Sequence, residues 1–163
     1  MNHLVLLDAR AGELEKILSG VKRMLVRDLD PAQPGPLTVG AGDRLYFLRG
    51  GEDRTVRVQA TVARVLLLTC TPNEEDLSQA LKEMQPGLQL TEEQYNRWSA
   101  RRQVLLVEFE SAHKADAIQV ASCRIPDSPA WLAFRELNEL TDEGVAQTQA
   151  DLSATSAGRQ SPD

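Results

Sequence analysis

Little in the 163 residues supplies redox or metal chemistry: there are two cysteines, Cys70 and Cys123, and two histidines, His3 and His113, all far apart in sequence. Small secreted domains usually space several cysteines closely, so isolated thiols point to a reducing compartment and reduced, structural cysteines. A zinc site would need long-range convergence that no spacing announces, and both histidines, on polar segments, are expected to be solvated. Aromatic residues make up only 4% of the chain. Long apolar runs are also missing. The longest, Val65-Leu66-Leu67-Leu68, is strand-sized, whereas a membrane span needs about 18 apolar residues. Nothing at the start has the charged, apolar and small-residue order of a secretory signal, and a cytoplasmic protein is expected. The dinucleotide-binding glycine pattern, the phosphate-binding loop, the nucleophile elbow and the paired-histidine zinc helix are absent as well. No cofactor and no metal are expected.

The charge is present but unevenly spread. The chain carries 18 basic and 24 acidic residues, a net of -6. Residues 1–72 hold ten basic residues against eight acidic, and residues 73–163 hold eight against sixteen. A site for an anion therefore belongs to the first half, and the acidic second half suits a protein partner.

Local patterns outline one α+β domain with a strand-rich core, of the size one hydrophobic core supports. Leu4-Val5-Leu6-Leu7 is a buried strand with Asp8 as a helix cap. Leu14, Ile17 and Leu18 share one helical face, and Gly20 ends that helix in the left-handed conformation. A short mixed segment, Lys22 to Arg27, has strand length. Pro31, Pro34, Gly35 and Pro36 form a rigid loop, and Gly40 to Asp43 a turn. Leu45 to Leu48 and the alternating Val56, Val58, Ala60 and Val62 form a hairpin around Gly50-Gly51. The change of apolar parity after Ala63 predicts a bulge. Thr71-Pro72-Asn73-Glu74 predicts a helix start by the capping-box pattern, with Pro86-Gly87 as its stop, and Thr91-Glu92-Glu93-Gln94 predicts another. Gln103 to Phe109 is a buried strand, Ala117 to Ala121 a further one, and Ser128-Pro129 opens a last helix carrying Trp131, Phe134 and Leu137. The unpatterned residues 141–163 are expected to be a disordered tail, polar and small-residued from Gln147 onward. Short strands with inserted helices fit a small, strongly bent barrel flanked by helices.

The segment Ile17-Leu18-Ser19-Gly20-Val21-Lys22 to Arg27, followed by Gly42-Asp43-Arg44-Leu45, resembles the ASCH family of the PUA-like superfamily. Gly20, Lys22, Arg27, Gly42 and Asp43 stand where that family has its helix-ending I-L-x-G-x-K, its strand-ending arginine and its G-D turn. The likeness covers about the first 70 residues. It implies a PUA-like β-barrel over residues 1–140, with a helical insert near 72–100, and a cleft beside the helix-to-strand turn that binds RNA or a nucleoside or nucleotide. Some relatives are amidohydrolases of acylated cytidine with a lysine, a threonine and a glutamate in the site, and others resemble ribonucleases. Lys22 matches the lysine. The threonine position falls on Leu25, and Glu74, Glu75 and Glu83 are candidates for the glutamate.

The residues themselves support a related reading. In a strand, Lys22 shares a face with Met24 and Val26, while Arg23 and Arg27 share the other with Leu25. With Met24 and Val26 inward, Arg23 and Arg27 project together about 13 Å apart, at about 3.3 Å per residue. Lys22 is then at the rim of a cleft, where an ammonium grips phosphate or, desolvated, acts as a base. The ligand-binding set expected is Lys22, Arg23, Arg27 and Arg49, and Lys22 is the catalytic residue if the protein is an enzyme. Arg54 and Arg57 extend the basic strip, or are a solvated face. Arg97, Arg101 and Arg102 around Trp98 offer a stacking and phosphate platform, with packing of Trp98 on the barrel the commoner role. Three functions remain open: RNA or nucleotide binding, hydrolysis through Lys22, and a protein-interaction module.

Overall fold

In the computed structural model, which describes residues 1–28, 39–50, 52–125 and 131–141, six strands form one curled sheet with three helices around it. The strands are β1 (Asn2–Leu6), β2 (Met24–Asp28), β3 (Arg44–Leu48), β4 (Thr55–Thr69), β5 (Gln103–Gln119) and β6 (Trp131–Phe134). The helices are α1 (Glu13–Leu18), α2 (Ser78–Leu88) and α3 (Glu92–Ser99). The order across the sheet is β2-β5-β4-β3-β1-β6. Only β1 and β3 run parallel, and the other neighbours are antiparallel.

Alternation along the strands sorts apolar side chains into separate cores. Val5, Leu45, Phe47, Leu105, Val107 and Phe109 line one face with Leu14 and Ile17 of α1, while Leu4, Tyr46, Leu48 and Phe134 line the other. The long β4–β5 ribbon serves three cores because its register shifts at three places. Val56 packs with Leu4, yet Val58, Ala60 and Val62 pack with Phe47, so the shift between Val56 and Val58 exchanges faces. The shift between Val62 and Arg64 is the expected bulge. Beyond it Leu66 and Leu68 turn to a third core under α2 and α3, made with Met24, Leu77, Leu81, Leu88, Val104 and Leu106.

Several boundaries differ from expectation. Asp8 does not cap α1: its carboxylate accepts from the backbone N–H of Arg10 and Ala11, and Gly12 is the N-cap. Thr71 and Glu74 do bond each other, but they close a turn, and α2 begins only at Ser78. Pro86 lies inside α2, which ends at Gln89 with a φ of 50°. Thr91 and Gln94 form the expected capping box of α3. β5 is one continuous strand through Gln119, bent at Ser111 with a φ of 57°. Trp131 and Phe134 belong to a strand rather than a helix, since their alternation places both on sheet faces, and Leu137 lies in a short 3-10 turn. The expected Pro-rich loop and the tail from Gln147 to Asp163 lie outside the described residues.

Candidate functional site

Gly20, with a φ of 83°, lets the chain turn sharply after α1, and the backbone N–H groups of Val21 and Lys22 both donate to the Lys16 carbonyl. This turn swings Lys22 inward. Its side chain is 1% exposed, so it does not stand at the rim. The ammonium donates to the carbonyl of Leu88 at the end of α2 and lies 3.6 Å from Glu13 Oε2. Lys16 donates to the neighbouring Gln89 carbonyl at 3.0 Å, so the two lysines together satisfy the C-terminus of α2. Glu13 Oε1 accepts from the Asp8 backbone N–H at 2.9 Å and from Gln94 Nε2 at 3.2 Å. Burial pulls the Lys22 pKa down, Glu13 opposes that pull, and Lys16 adds to it, leaving the group below the usual lysine range.

Lys22 and Glu13 belong to a cleft of about 440 Å³, within the range of about 300 to 1,000 Å³ typical of small-molecule sites. Its wall includes Leu25, Arg27, Asp28, Gln94, Arg97, Trp98, Arg101 and Trp131. β2 and β6 are the two edges of the sheet, and Arg27 of β2 stacks on Trp131 of β6 with the guanidinium carbon 4.8 Å from the ring centroid. The cleft therefore opens beside the seam where the curled sheet brings its edges together. Arg27 has no carboxylate partner among the described residues, and burial lowers its pKa, although guanidinium remains charged at neutral pH. Arg101, by contrast, pairs with Asp28 at 3.2 Å. Arg97 and Arg101 both lie over the Trp98 ring, at 5.7 and 5.8 Å.

Behind Trp131 stands a buried polar chain. The indole Nε1–H donates to His3 Nδ1 at 3.0 Å, and His3 Nε2 lies 2.9 Å from Asp43 Oδ2. An indole can only donate, so Nδ1 is the acceptor and the imidazole proton sits on Nε2, facing Asp43. His3 is 1% exposed, against the expectation of a solvated ring, whereas His113 is exposed as expected. Burial lowers the His3 pKa, Asp43 counteracts, and Arg27 and the N-terminal ammonium lower it further. Burial pushes the Asp43 pKa up, but hydrogen bonds from His3, the Gly40 N–H and the N-terminal ammonium outweigh it and hold the carboxylate low.

Of the four expected ligand-binding residues, the cleft gathers Lys22 and Arg27. Arg23 precedes β2 and is exposed, and Arg49 pairs with Glu15 at 2.9 Å on the surface; neither lines this cleft. Arg57 faces Asp53 at 3.7 Å, and Arg54 donates to Ser122. The lining holds four cations and three carboxylates, so it is mixed in charge, with the positive surplus at Arg27 and Arg97. Glu74, Glu75 and Glu83 are absent from the lining, and the carboxylate beside Lys22 is Glu13. Its signal was in the sequence: Glu13 precedes Ile17 by one helical turn, so it shares the inward face. His3 and Trp131, 128 residues apart, carried none.

The class of the fold follows from comparison with solved structures. An ASCH protein from Zymomonas mobilis superposes with a TM-score of 0.59 at 12% identity, over 91% of this chain and 94% of that one. Two mutant forms of it give TM-scores of 0.60 at 12% and 13% identity, covering 91% of this chain and 96% and 94% of theirs. The chain thus has an ASCH-like fold. No family model and no curated protein matches the sequence. No helix among the described residues is long and apolar enough to cross a membrane.

Proposed function

We propose that this chain is a PUA-like, ASCH-type domain, built from residues 1–140 and working in the cytoplasm, that binds single-stranded RNA or a nucleotide in the cleft beside the β2–β6 seam. The observation that carries the reading is Arg27: a half-buried guanidinium without a carboxylate partner among the described residues, held over an indole at the cleft wall. A stacked, desolvated guanidinium recognises phosphate with two parallel donors. Lys22 and Glu13 lie deeper and supply a donor and an acceptor for a polar base edge, while Arg97 and Trp98 extend the wall toward a following nucleotide.

The test is the salt dependence of binding to a short oligouridylate. Arg27→Ala weakens binding and flattens the slope of log affinity against log salt by roughly 0.7, the single-strand value per neutralised phosphate. Charge reversal at Arg135, which does not line the cleft, leaves the slope alone. An unchanged slope in Arg27→Ala removes Arg27 from the phosphate contact.

A hydrolytic reading through Lys22 has its own support in the Lys22–Glu13 pair, since a lysine with a lowered pKa beside a carboxylate can move a proton at a bound amide. The apolar Leu25 at the position of the relatives' hydroxyl leaves that set one member short. Release of acetate from an acetylated cytidine, lost in Lys22→Met, decides it. The protein-interaction reading rests on the acidic second half of the chain; an exposed Trp131 would favour it, and this indole is buried and bonded to His3.

A further inference from the structure

The inference rests on the nucleotide-binding reading of the cleft. We propose that His3 is a positioning residue for the site, holding the Trp131 indole on which Arg27 stacks, and that a proton on His3 Nδ1 releases both and weakens capture of the phosphate. The polar chain has one direction: Trp131 Nε1–H to His3 Nδ1, then His3 Nε2–H to Asp43. Every link in it is determined, because the indole has no acceptor and the carboxylate has no donor when ionised. A second proton on the imidazole can go only to Nδ1, where it meets the indole N–H head-on at 3.0 Å. The hydrogen bond is then lost and two donors face each other in a site shielded from water, which is costly.

The indole does not belong to the same strand neighbourhood as the arginine it supports. Trp131 lies on β6 and Arg27 on β2, at opposite edges of the sheet, so the ring gives the Arg27 guanidinium a contact across the seam at the cleft wall. The charged groups facing His3 are Asp43 from the turn before β3, Arg27 from β2 and the N-terminal ammonium ahead of β1. Its strand neighbours Leu45 and Ala133 do not titrate. Two cations and burial oppose the protonated ring, and one carboxylate favours it. The neutral ring is thus the form the fold maintains, and acidification is the perturbation that reverses it.

Oligouridylate without terminal phosphates is the probe, because its phosphodiesters keep their charge across the histidine range of about pH 5 to 8. Wild-type affinity is expected to be flat above the His3 pKa and to fall about tenfold for each pH unit below it. His3→Asn keeps an acceptor at the Nδ1 position and does not titrate, so it retains binding and flattens the acid limb. His3→Leu, without an acceptor, binds weakly at every pH. The indole N–H resonance of Trp131, assigned by its loss in Trp131→Phe, reports the relay without any ligand and shifts with the same midpoint as the affinity. An indole signal that ignores pH while oligouridylate still binds overturns the role of His3. No binding at any pH overturns the nucleotide reading and the coupling with it, and parallel acid limbs in the wild type and His3→Asn assign the pH dependence to another group.

Discussion

The Lys22–Glu13 pair makes a demanding test of the site, because both charges have been taken out of water: Lys22 is 1% exposed and Glu13 is 12% exposed. Glu13→Gln leaves the ammonium buried with the Leu88 carbonyl as its hydrogen-bond acceptor and no countercharge among the described residues within an ion-pair distance. Removing one partner of a buried pair costs about 3 to 5 kcal/mol, and the residual exposure of Glu13 places this case near 3. Replacing both, in Lys22→Met with Glu13→Gln, removes the charge that needed compensation, and the double mutant is expected within about 1 kcal/mol of the wild type. Lys22→Met alone strips Glu13 of its partner and is expected to cost about 3 kcal/mol as well, so urea denaturation of all four proteins gives a coupling energy of about 5 kcal/mol. The pH dependence has a definite sign. The folded pKa of Lys22 lies below its ordinary 10.5, so unfolding takes up a proton between the two values, and stability rises with pH across that interval. Loss of Glu13 lowers the folded value further, and the deficit of Glu13→Gln narrows as pH climbs toward 10.5. A Glu13→Gln protein within about 0.5 kcal/mol of the wild type at neutral pH would refute the buried pair.

Thr91→Ala is expected to lose about 1 kcal/mol, since both halves of its capping box are formed, whereas Thr71→Ala, which only closes a turn ahead of α2, loses less than about 0.5 kcal/mol in the same denaturation assay. Equal losses would place a working helix cap at Thr71. Gly50→Ala is expected to lose more than about 2 kcal/mol, because its φ is 103° and an added Cβ would meet the Leu7 carbonyl oxygen at 2.2 Å. A near-native midpoint for that variant would show that the β3–β4 turn can shift away from β1.

Strands were legible wherever one period dominated. The alternation of Val56 to Val62 and the parity change after Ala63 are local patterns, and the bulge between Val62 and Arg64 is their direct consequence. The misplaced helices share a cause of a different kind. Thr71 and Glu74 satisfy the local hydrogen-bonding rule, but Leu77, not Leu81, is the first side chain that must reach the third core, and the chain delays its helix until Ser78 so that Leu77 N–H can meet the Ser99 carbonyl. For the segment after Ser128, proline and serine announced a cap, while pairing of Trp131 to Phe134 with β1 outweighed it; four residues make too short a window for period to decide.

The site divides in the same way between local and distant causes. Lys22 was legible because the α1 stop at Gly20 and the following strand are contiguous, and Glu13 could be read from its one-turn spacing to Ile17. Arg23 and Arg49 were basic residues near the right place, yet both lie just outside their strands and neither lines the cleft. Leu25 faces the barrel core, and Arg27, two residues on, shares that face, while Met24 and Val26 serve the helical layer. Arg23, one residue before Met24, precedes the strand and escapes the alternation altogether. The Trp131–His3–Asp43 chain depends on β6 adding to β1 at the far end of the sheet, a long-range pairing that no spacing within 128 residues encodes. That asymmetry has a functional consequence. Lys22 and Glu13 meet through α1 and the turn after it and are completed by Leu88 and Gln94 of the helical layer, but Arg27 has its aromatic support only when the last strand is in place. On the proposed nucleotide-binding reading, oligonucleotide binding is therefore expected to require the complete sheet, because Arg27 gains its aromatic support from closure of the seam and not from the strand that carries it.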